Sequence, residues 1–136
     1  MNKFSTASQE RLSTCHKDLQ TLFNTVLPLV DCSILEGHRG EEAQNQYFRE
    51  GKSQLRYPES KHNKSPSMAV DVAPWPIKWE NIERFRFFGA YVIGIADLLF
   101  EQGAMAYHVR WGGDFNANQD WSDNTFSDYV HFELIK

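Results

Sequence analysis

The stretch Ser60–Pro76, SKHNKSPSMAVDVAPWP, joins a polar loop that contains a histidine to a short apolar run that contains an acid. Residues alternate in character along positions 68–73, which predicts a β-strand with two distinct faces. The apolar face consists of Met68, Val70 and Val72. Asp71 falls on the opposite face and need not enter the core, so it can point into a cleft. His62 lies in the loop just before this strand.

Length and composition predict one globular domain that spans residues 1–136. This length is enough for a hydrophobic core, and 41% hydrophobic with 24% charged residues is ordinary for a soluble protein. A net charge of -4 disfavours a nucleic-acid partner, which is usually bound by a basic face. No apolar run is long enough to span a bilayer, and the N-terminus lacks the apolar region of a signal peptide. We therefore expect cytoplasmic synthesis and no stable membrane anchor. We also expect a monomer.

Periodicity predicts an α+β domain in which a small, mainly antiparallel sheet packs with helices. The predicted helices are residues 6–30, a short helix that starts at Glu41 and stops at Gly51, and residues 79–103. The predicted strands lie around Cys32 and Ile34, at 68–73, at 105–113 and at 129–135. Polar loops fill residues 52–67 and 114–128. Cys15 and Cys32 are far apart and form no CxxC pair, so we interpret both as buried small hydrophobes.

Two strands and one loop carry residue types that bind metal ions. Asp71 and His131 occupy the non-core faces of their strands, and His62 precedes the first of them. Two histidines and one carboxylate suit a divalent metal such as zinc, and the fourth position stays open to water, as a hydrolase requires. The spacing alone also fits residues without a metal: His62 in a capped loop, Asp71 as a solvent-facing acid, and His131 as a strand histidine with ordinary hydrogen-bond partners. His108 is a rival ligand, and a fourth protein ligand would favour a structural zinc site.

A hydrolytic site also needs a base, and Asp128 lies three residues before His131. Strict strand alternation would turn Asp128 away from His131. Asp128 therefore reaches the site only if the chain bends at residues 128–129.

Three segments together resemble the D-alanyl-D-alanine carboxypeptidase-like (VanY/VanX-like) zinc peptidases. SKHNKSPSMAVDVAP is similar to their SxH…(A/V)xD signature, and SDYVHFEL is similar to their closing (D/E)xxH strand. LEGHRGEEAQNQYF looks like their strand-to-helix segment with a functional arginine. The match keeps the family's order from about Leu12 to Leu134, and the single-domain phage endolysins that act as L-alanyl-D-glutamate peptidases are the most similar members. The step of nine residues from His62 to Asp71 is longer than in many members and lacks their glycine.

The resemblance implies a Hedgehog/DD-peptidase-like fold and a role for each motif residue. The implied zinc ligands are His62, Asp71 and His131. Asp128 would be the general base, Arg39 would hold a substrate carboxylate or the developing oxyanion, and Ser60 would position the loop or substrate. Arg39 could instead be a surface salt-bridge partner of Glu41 or Glu42.

The implied function is zinc-dependent hydrolysis of the L-Ala-D-Glu bond in peptidoglycan stem peptides by a phage endolysin. Such an enzyme is made in the host cytoplasm and acts on the cell wall, in the periplasm. The alternatives are a D-Ala-D-Ala carboxypeptidase or dipeptidase of the same fold, or a non-catalytic, zinc-stabilised binding domain.

The polar loop DFNANQDWSD spaces oxygen-bearing side chains like the first half of a calcium-binding EF-hand loop. It lacks the central glycine and has Thr125 in place of the bidentate glutamate, so a full EF-hand is rejected. A weaker calcium site remains as a hypothesis, with Asp114, Asn116, Asn118, Asp120 and Asp123 as ligands. The alternative is a turn that its Asx side chains stabilise without an ion.

Overall fold

The chain folds as four α-helices around a four-stranded sheet in a computed structural model that describes residues 1–124 and 126–136. The helices are α1 (Thr6–Ser13), α2 (Lys17–Val26), α3 (Glu41–Arg49) and α4 (Ile82–Glu101). The strands are β1 (Cys32–Glu36), β2 (Ala69–Pro74), β3 (His108–Trp111) and β4 (His131–Ile135). A short 3₁₀ helix, Lys61–Asn63, precedes β2. The predicted α+β class is confirmed, and the Thr125 position of the calcium hypothesis lies outside the described residues.

The sheet has the strand order β1-β2-β4-β3, and every neighbouring pair is antiparallel. In this register Asp71 stands directly opposite His131, and Glu133 stands opposite both Ala69 and Arg110. Polar residues that are distant in sequence therefore share one face of the two central strands. The other face carries the core, because side chains alternate along each strand.

The core fills the space between that second face and the helices. Its sheet residues Val70, Val72, Phe132 and Leu134 are completely buried. Phe132 packs edge-to-face against Phe23 of α2 and Phe88 of α4, with ring centroids 5.4 and 6.1 Å apart. Such aromatic pairs add to the large apolar burial that stabilises the domain.

The single helix predicted for residues 6–30 is wrong, because the chain forms α1 and α2 with a break between them. At the break the backbone of residues 14–16 pairs with the loop before β2. Ser67 donates its N–H to the Thr14 carbonyl and accepts one from His16, each at 2.9 Å. His16 Nδ1 then accepts a hydrogen bond from the Asp18 N–H and caps α2. The apolar period crosses this break because both helices cover the same core.

The long second helix of the prediction exists, but it starts later than expected. Asn81 caps α4 by accepting the Arg84 N–H at 3.1 Å, so Trp79 lies outside the helix and is exposed. The helix stops before Gly103, whose φ of +75° suits glycine, as predicted for a helix end. None of the helices in the described residues is both long and apolar enough to cross a membrane.

Candidate active site

The three predicted metal ligands converge at one point on the polar face of the sheet. Asp71 Oδ1 lies 3.1 Å from His62 Nε2 and 3.4 Å from His131 Nδ1. The ligand atoms of the three residues all lie within 4.8 Å of one another. Across residues 1–124 and 126–136, no other group of three or more His, Cys, Asp or Glu side chains meets this criterion. A tetrahedral zinc ion with bonds of about 2.0–2.1 Å holds its ligand atoms roughly 3.3 Å apart. The residues therefore fit a metal ion of this kind.

Backbone contacts determine which nitrogen His62 offers to a metal. His62 Nδ1 lies 2.8 Å from the Gly37 carbonyl oxygen, which can only accept, so Nδ1 carries the proton. Nε2 is left with its lone pair, facing Asp71. Ser60 caps the 3₁₀ helix by accepting the His62 N–H on its hydroxyl oxygen at 3.2 Å. Ser60 is buried, and this hydrogen bond ties it to the loop that carries the candidate ligand His62.

A carboxylate that the sequence analysis did not assign holds the other histidine. Glu133 Oε1 lies 2.7 Å from His131 Nε2, and Glu133 Oε2 lies 2.6 Å from Arg110 Nη2. The ammonium of Lys61 is a second cation near Glu133, at 3.7 Å. A carboxylate that contacts a metal-binding histidine in this way fixes the orientation of its ring. The sequence signal was present, because Glu133 lies two residues after His131 on the same strand face.

A turn brings Asp128 into the same cleft. β4 begins at His131, two residues later than predicted, and His131 donates its N–H to the Asp128 carbonyl at 3.1 Å. Asp128 in turn donates its N–H to the Gly112 carbonyl at 2.9 Å. The strand alternation that would turn Asp128 away therefore does not apply. The carboxylate lines the cleft together with the three ligands.

Arg39 is buried beside Asp71 rather than exposed. Its Nη2 lies 2.6 Å from Glu36 Oε2 and 3.6 Å from Asp71 Oδ2. Its Nη1 donates to Gln44 Oε1 at 2.9 Å, and the guanidinium lies 4.5 Å from the centre of the Tyr47 ring. The ion-pair partners of Arg39 are therefore Glu36 and Asp71. The alternative of a surface salt bridge to Glu41 or Glu42 is not what the structure shows. Its positive charge stands next to Asp71, one of the candidate metal ligands.

Comparisons with known proteins agree with this geometry. The sequence profile of a family described as phage L-alanyl-D-glutamate peptidase matches residues 1–135. The chain belongs to this family. The crystal structure of the L-Ala D-Glu endopeptidase ChiX from Serratia marcescens is 31% identical, with a TM-score of 0.71. That match covers 98% of this chain and 91% of the other. No curated protein matches the chain.

The resemblance to phage L-alanyl-D-glutamate peptidases is therefore confirmed, and the chain is a peptidase. The cleft of this peptidase has a volume of about 790 Å³. Its lining includes residues 52–55 and the aromatic rings of Phe115 and Phe126. The polar face of the sheet forms its floor. A peptide laid across this floor would pass the candidate metal ligands and Asp128.

The electrostatics of the peptidase site follow from burial and close charge pairing. Burial opposes the ionisation of Asp71, but the two imidazoles outweigh it and hold the Asp71 pKa well below its usual range. Burial lowers the pKa of His131, whereas hydrogen bonds to Asp71 and Glu133 raise it, to about 9 overall. The pKa of Glu133 falls to about 2, because His131 and Arg110 outweigh its burial. Asp128 has a raised pKa through burial and the neighbouring Asp71 charge.

The rival ligand His108 does not join the metal group in the described residues. It is exposed at the start of β3, where its ring stacks on Phe100 with centroids 3.7 Å apart. A closed site with His108 as fourth ligand is therefore not formed in this structure.

The residues of the calcium hypothesis lie together in one exposed loop, and their side chains bond to each other and to the backbone. Asp114 accepts the Gln119 N–H at 2.8 Å, and Asp120 accepts the Ser122 N–H at 2.9 Å. Asn118 accepts the Asp120 N–H at 2.9 Å. Asn116 and Asn118 both donate to Asp123 Oδ2, at 3.3 and 2.6 Å. This is the pattern of the alternative interpretation, and calcium binding stays a prediction.

Proposed function

We propose that this peptidase hydrolyses the L-Ala-D-Glu bond of peptidoglycan stem peptides with a zinc ion bound by His62, Asp71 and His131. The observation that carries this proposal is the triad itself, which opens onto the cleft that also contains Asp128. Family membership and the Serratia endopeptidase support the choice of bond. Three ligands leave a coordination position for water, as in catalytic zinc sites.

Zinc at this triad would supply Lewis-acid chemistry that acidifies a water molecule and polarises the scissile carbonyl. Asp128 would take a proton from that water, and its raised pKa brings it closer to the working range of a general base. The hydroxyl left by this proton transfer would bond to the alanyl carbonyl carbon as the bond from that carbon to nitrogen breaks. Asp128 would return its proton to the nitrogen of the departing D-Glu.

Arg39 would stabilise negative charge on the substrate. Its guanidinium is held by Glu36 and Gln44, so it presents its charge without having to reorganise. Arg39 Nε is buried and has no hydrogen-bond partner among the described residues. We propose that Arg39 interacts with a D-Glu carboxylate or with the oxyanion. Ser60 would act through the loop, by holding His62.

The place of action follows from the substrate. We propose that the enzyme acts on the bacterial cell wall during phage lysis. Synthesis in the host cytoplasm without a signal peptide, and a monomeric state, stay predictions.

The test is digestion of purified peptidoglycan by the zinc-loaded protein beside Asp128→Ala, with Glu10→Ala as an exposed acidic control. We expect the wild type and the control to release fragments with new N-terminal D-Glu, and Asp128→Ala to lose at least a hundredfold in rate. All three should bind one zinc ion.

Fragment masses decide among the alternatives. Release of terminal D-Ala would show that the enzyme cuts the D-Ala-D-Ala bond, as a carboxypeptidase does, instead of the proposed L-Ala-D-Glu bond. Zinc binding without any cleavage by the wild type would overturn the enzymatic proposal in favour of a binding domain.

A further inference from the structure

A second cavity of about 520 Å³ lies outside the catalytic cleft, between α4 and the edge strand β3. The start of the 114–128 loop closes one side of it. We call this cavity the α4–β3 groove. Its size is within the range of small-ligand sites. The residues that line this groove but not the catalytic cleft have no role in the proposed hydrolysis.

The groove combines an aromatic wall with polar groups. Trp121 is 40% exposed, and its ring stands edge-on to the buried Trp111 at 6.4 Å between centroids. The Arg86 guanidinium lies 5.4 Å from the Trp121 ring and helps to hold it in place. Asp97 and Gln119 also line the groove. An indole ring beside carboxylate and amide groups suits a sugar, whose C–H face packs on the ring while its hydroxyls form hydrogen bonds.

Small residues of α4 keep the groove open. Gly94 lies in the interior of this 20-residue helix, and a Cβ atom there would meet nothing within 4 Å. A glycine inside a helix is less favourable than alanine by about 1 kcal/mol. Ala90 is a second small residue of the lining. A larger side chain at Gly94 would project into the free volume.

The groove and the catalytic cleft share Arg110, which lines both. Arg110 contacts Glu133, and Glu133 contacts His131, so the groove begins two side chains from the proposed metal site. In the proposed substrate, the scissile carbonyl belongs to L-Ala, whose nitrogen is joined through a lactyl group to the glycan. An extended chain covers about 3.3–3.6 Å per residue, so the glycan must leave the cleft within a few residue lengths of the metal.

Charge favours the glycan over the peptide as the occupant. Asp97 and Asp114 line the groove, and the one arginine of its lining, Arg110, is already paired with Glu133 at 2.6 Å. The two acids would therefore repel the carboxylates of a stem peptide. N-acetylated sugars that carry amide-linked peptides are neutral and meet no such repulsion. We propose that the α4–β3 groove binds the glycan strand of peptidoglycan next to the bond that is cut. This inference rests on the proposed function for its choice of occupant.

The test compares two substrates with two groove variants. Trp121→Ala removes the aromatic wall of the groove, and Gly94→Phe places a large side chain in its free volume. Leu98→Ala is a control on the exposed side of α4. On glycan-linked stem peptides we expect both groove variants to raise KM about tenfold with little change in kcat. On a glycan-free, N-acetylated stem peptide, both should match the wild type.

A separate binding measurement does not depend on catalysis. Peptide-free glycan chains are titrated into zinc-loaded wild type and Gly94→Phe, and the indole N–H signals are followed by NMR. We expect the Trp121 signal to shift in the wild type and to stay unchanged in Gly94→Phe.

Equal losses on both substrates, unchanged KM on the glycan-linked substrate, or no shift of the Trp121 signal would overturn the glycan proposal. If the wild type cuts neither substrate, the proposed function fails, and the titration alone then decides whether the groove binds glycan.

Discussion

Glu133 accepts a hydrogen bond from His131 Nε2 at 2.7 Å, and this contact determines which ring nitrogen faces the proposed metal. A carboxylate can only accept, so Nε2 carries a proton and Nδ1 is directed at Asp71. Arg110 neutralises the carboxylate and keeps it in place. His62 shows the reverse arrangement, with Nδ1 tied to the Gly37 carbonyl and Nε2 free for the metal. The two histidines are thus oriented by different partners.

The first prediction concerns Glu133. Replacement by alanine should weaken zinc binding about 10–100-fold, because the His131 ring loses the partner that orients it. Glu133→Gln keeps an oxygen acceptor and should lose less than the alanine variant. The measurement is zinc affinity by competition with a chromophoric chelator.

The control for Glu133 is Glu83→Gln, since Glu83 also pairs with an arginine, Arg86 at 2.5 Å, but its side chain is exposed and does not line the catalytic cleft. It should leave the affinity unchanged. Equal zinc affinities in Glu133→Ala and the wild type would refute the orienting role.

A second prediction concerns Gly112, which the backbone of the Asp128 turn approaches closely. A Cβ atom at Gly112 would stand 2.1 Å from the Asp128 carbonyl oxygen, so the turn must shift in Gly112→Ala. We expect at least a tenfold loss of kcat with zinc still bound, and a loss of stability of about 1–3 kcal/mol. Thermal unfolding and peptidoglycan digestion measure the two effects.

Gly40→Ala is the matched control for Gly112, because a Cβ atom there meets nothing within 4 Å. It should retain activity. A fully active Gly112→Ala enzyme would show that the position of Asp128 does not limit the reaction.

The third prediction is that metal binding releases a proton from His131. In the metal-free protein its pKa is about 9, so it is charged at neutral pH, whereas a zinc ligand must be neutral. At pH 7 each ion bound should displace about one proton from this ring. Zinc affinity should therefore increase as the pH rises towards 9. Calorimetry in buffers of different ionisation enthalpy counts the protons, and an affinity that does not vary between pH 6 and 8 would contradict the prediction.

The same pKa has a consequence for the metal-free fold. The folded-state pKa of His131 lies above its ordinary value of 6.5, so its contribution to stability is complete below that value. This contribution is lost as the pH rises through about 9. The melting temperature of the chelated protein should therefore fall over this window, and His131→Gln should remove that part of the fall.

The fourth prediction addresses calcium. If Asp114, Asp120 and Asp123 bind the ion, calcium must replace the hydrogen bonds that their carboxylates now accept. Calcium should then slow hydrogen exchange in the 114–124 loop and change the rate of peptidoglycan digestion, and Asp120→Asn should abolish both effects. A titration to millimolar calcium without either effect would establish the loop as a set of Asx turns.

Much of the fold was predictable because the alternation of residue types along a strand shows which side chains face the core. The alternation in MAVDVA places Asp71 away from the core, and VHFEL does the same for His131 and Glu133, as the structure confirms. The antiparallel sheet followed from periodicity, and the resemblance of three motifs pointed to His62, Asp71 and His131 as candidate metal ligands, which the structure brings together. Glu133 was visible on the correct face, but its contact with His131 depends on side-chain rotamers that no periodicity reports.

The amino-acid sequence by itself determined the α+β class, the family and the residue types of the site. The tertiary structure decided the break between α1 and α2, the turn at Asp128 and the partners of Arg39. Each of these depends on a group distant in the chain: Ser67 bonds the backbone at the break, Gly112 bonds Asp128, and Asp71 approaches Arg39 across the site. Local sequence patterns show which face of an element a side chain occupies. They do not show which partner a hydrogen-bonding group will have, because the partners lie far apart in the sequence and come together only in the folded chain.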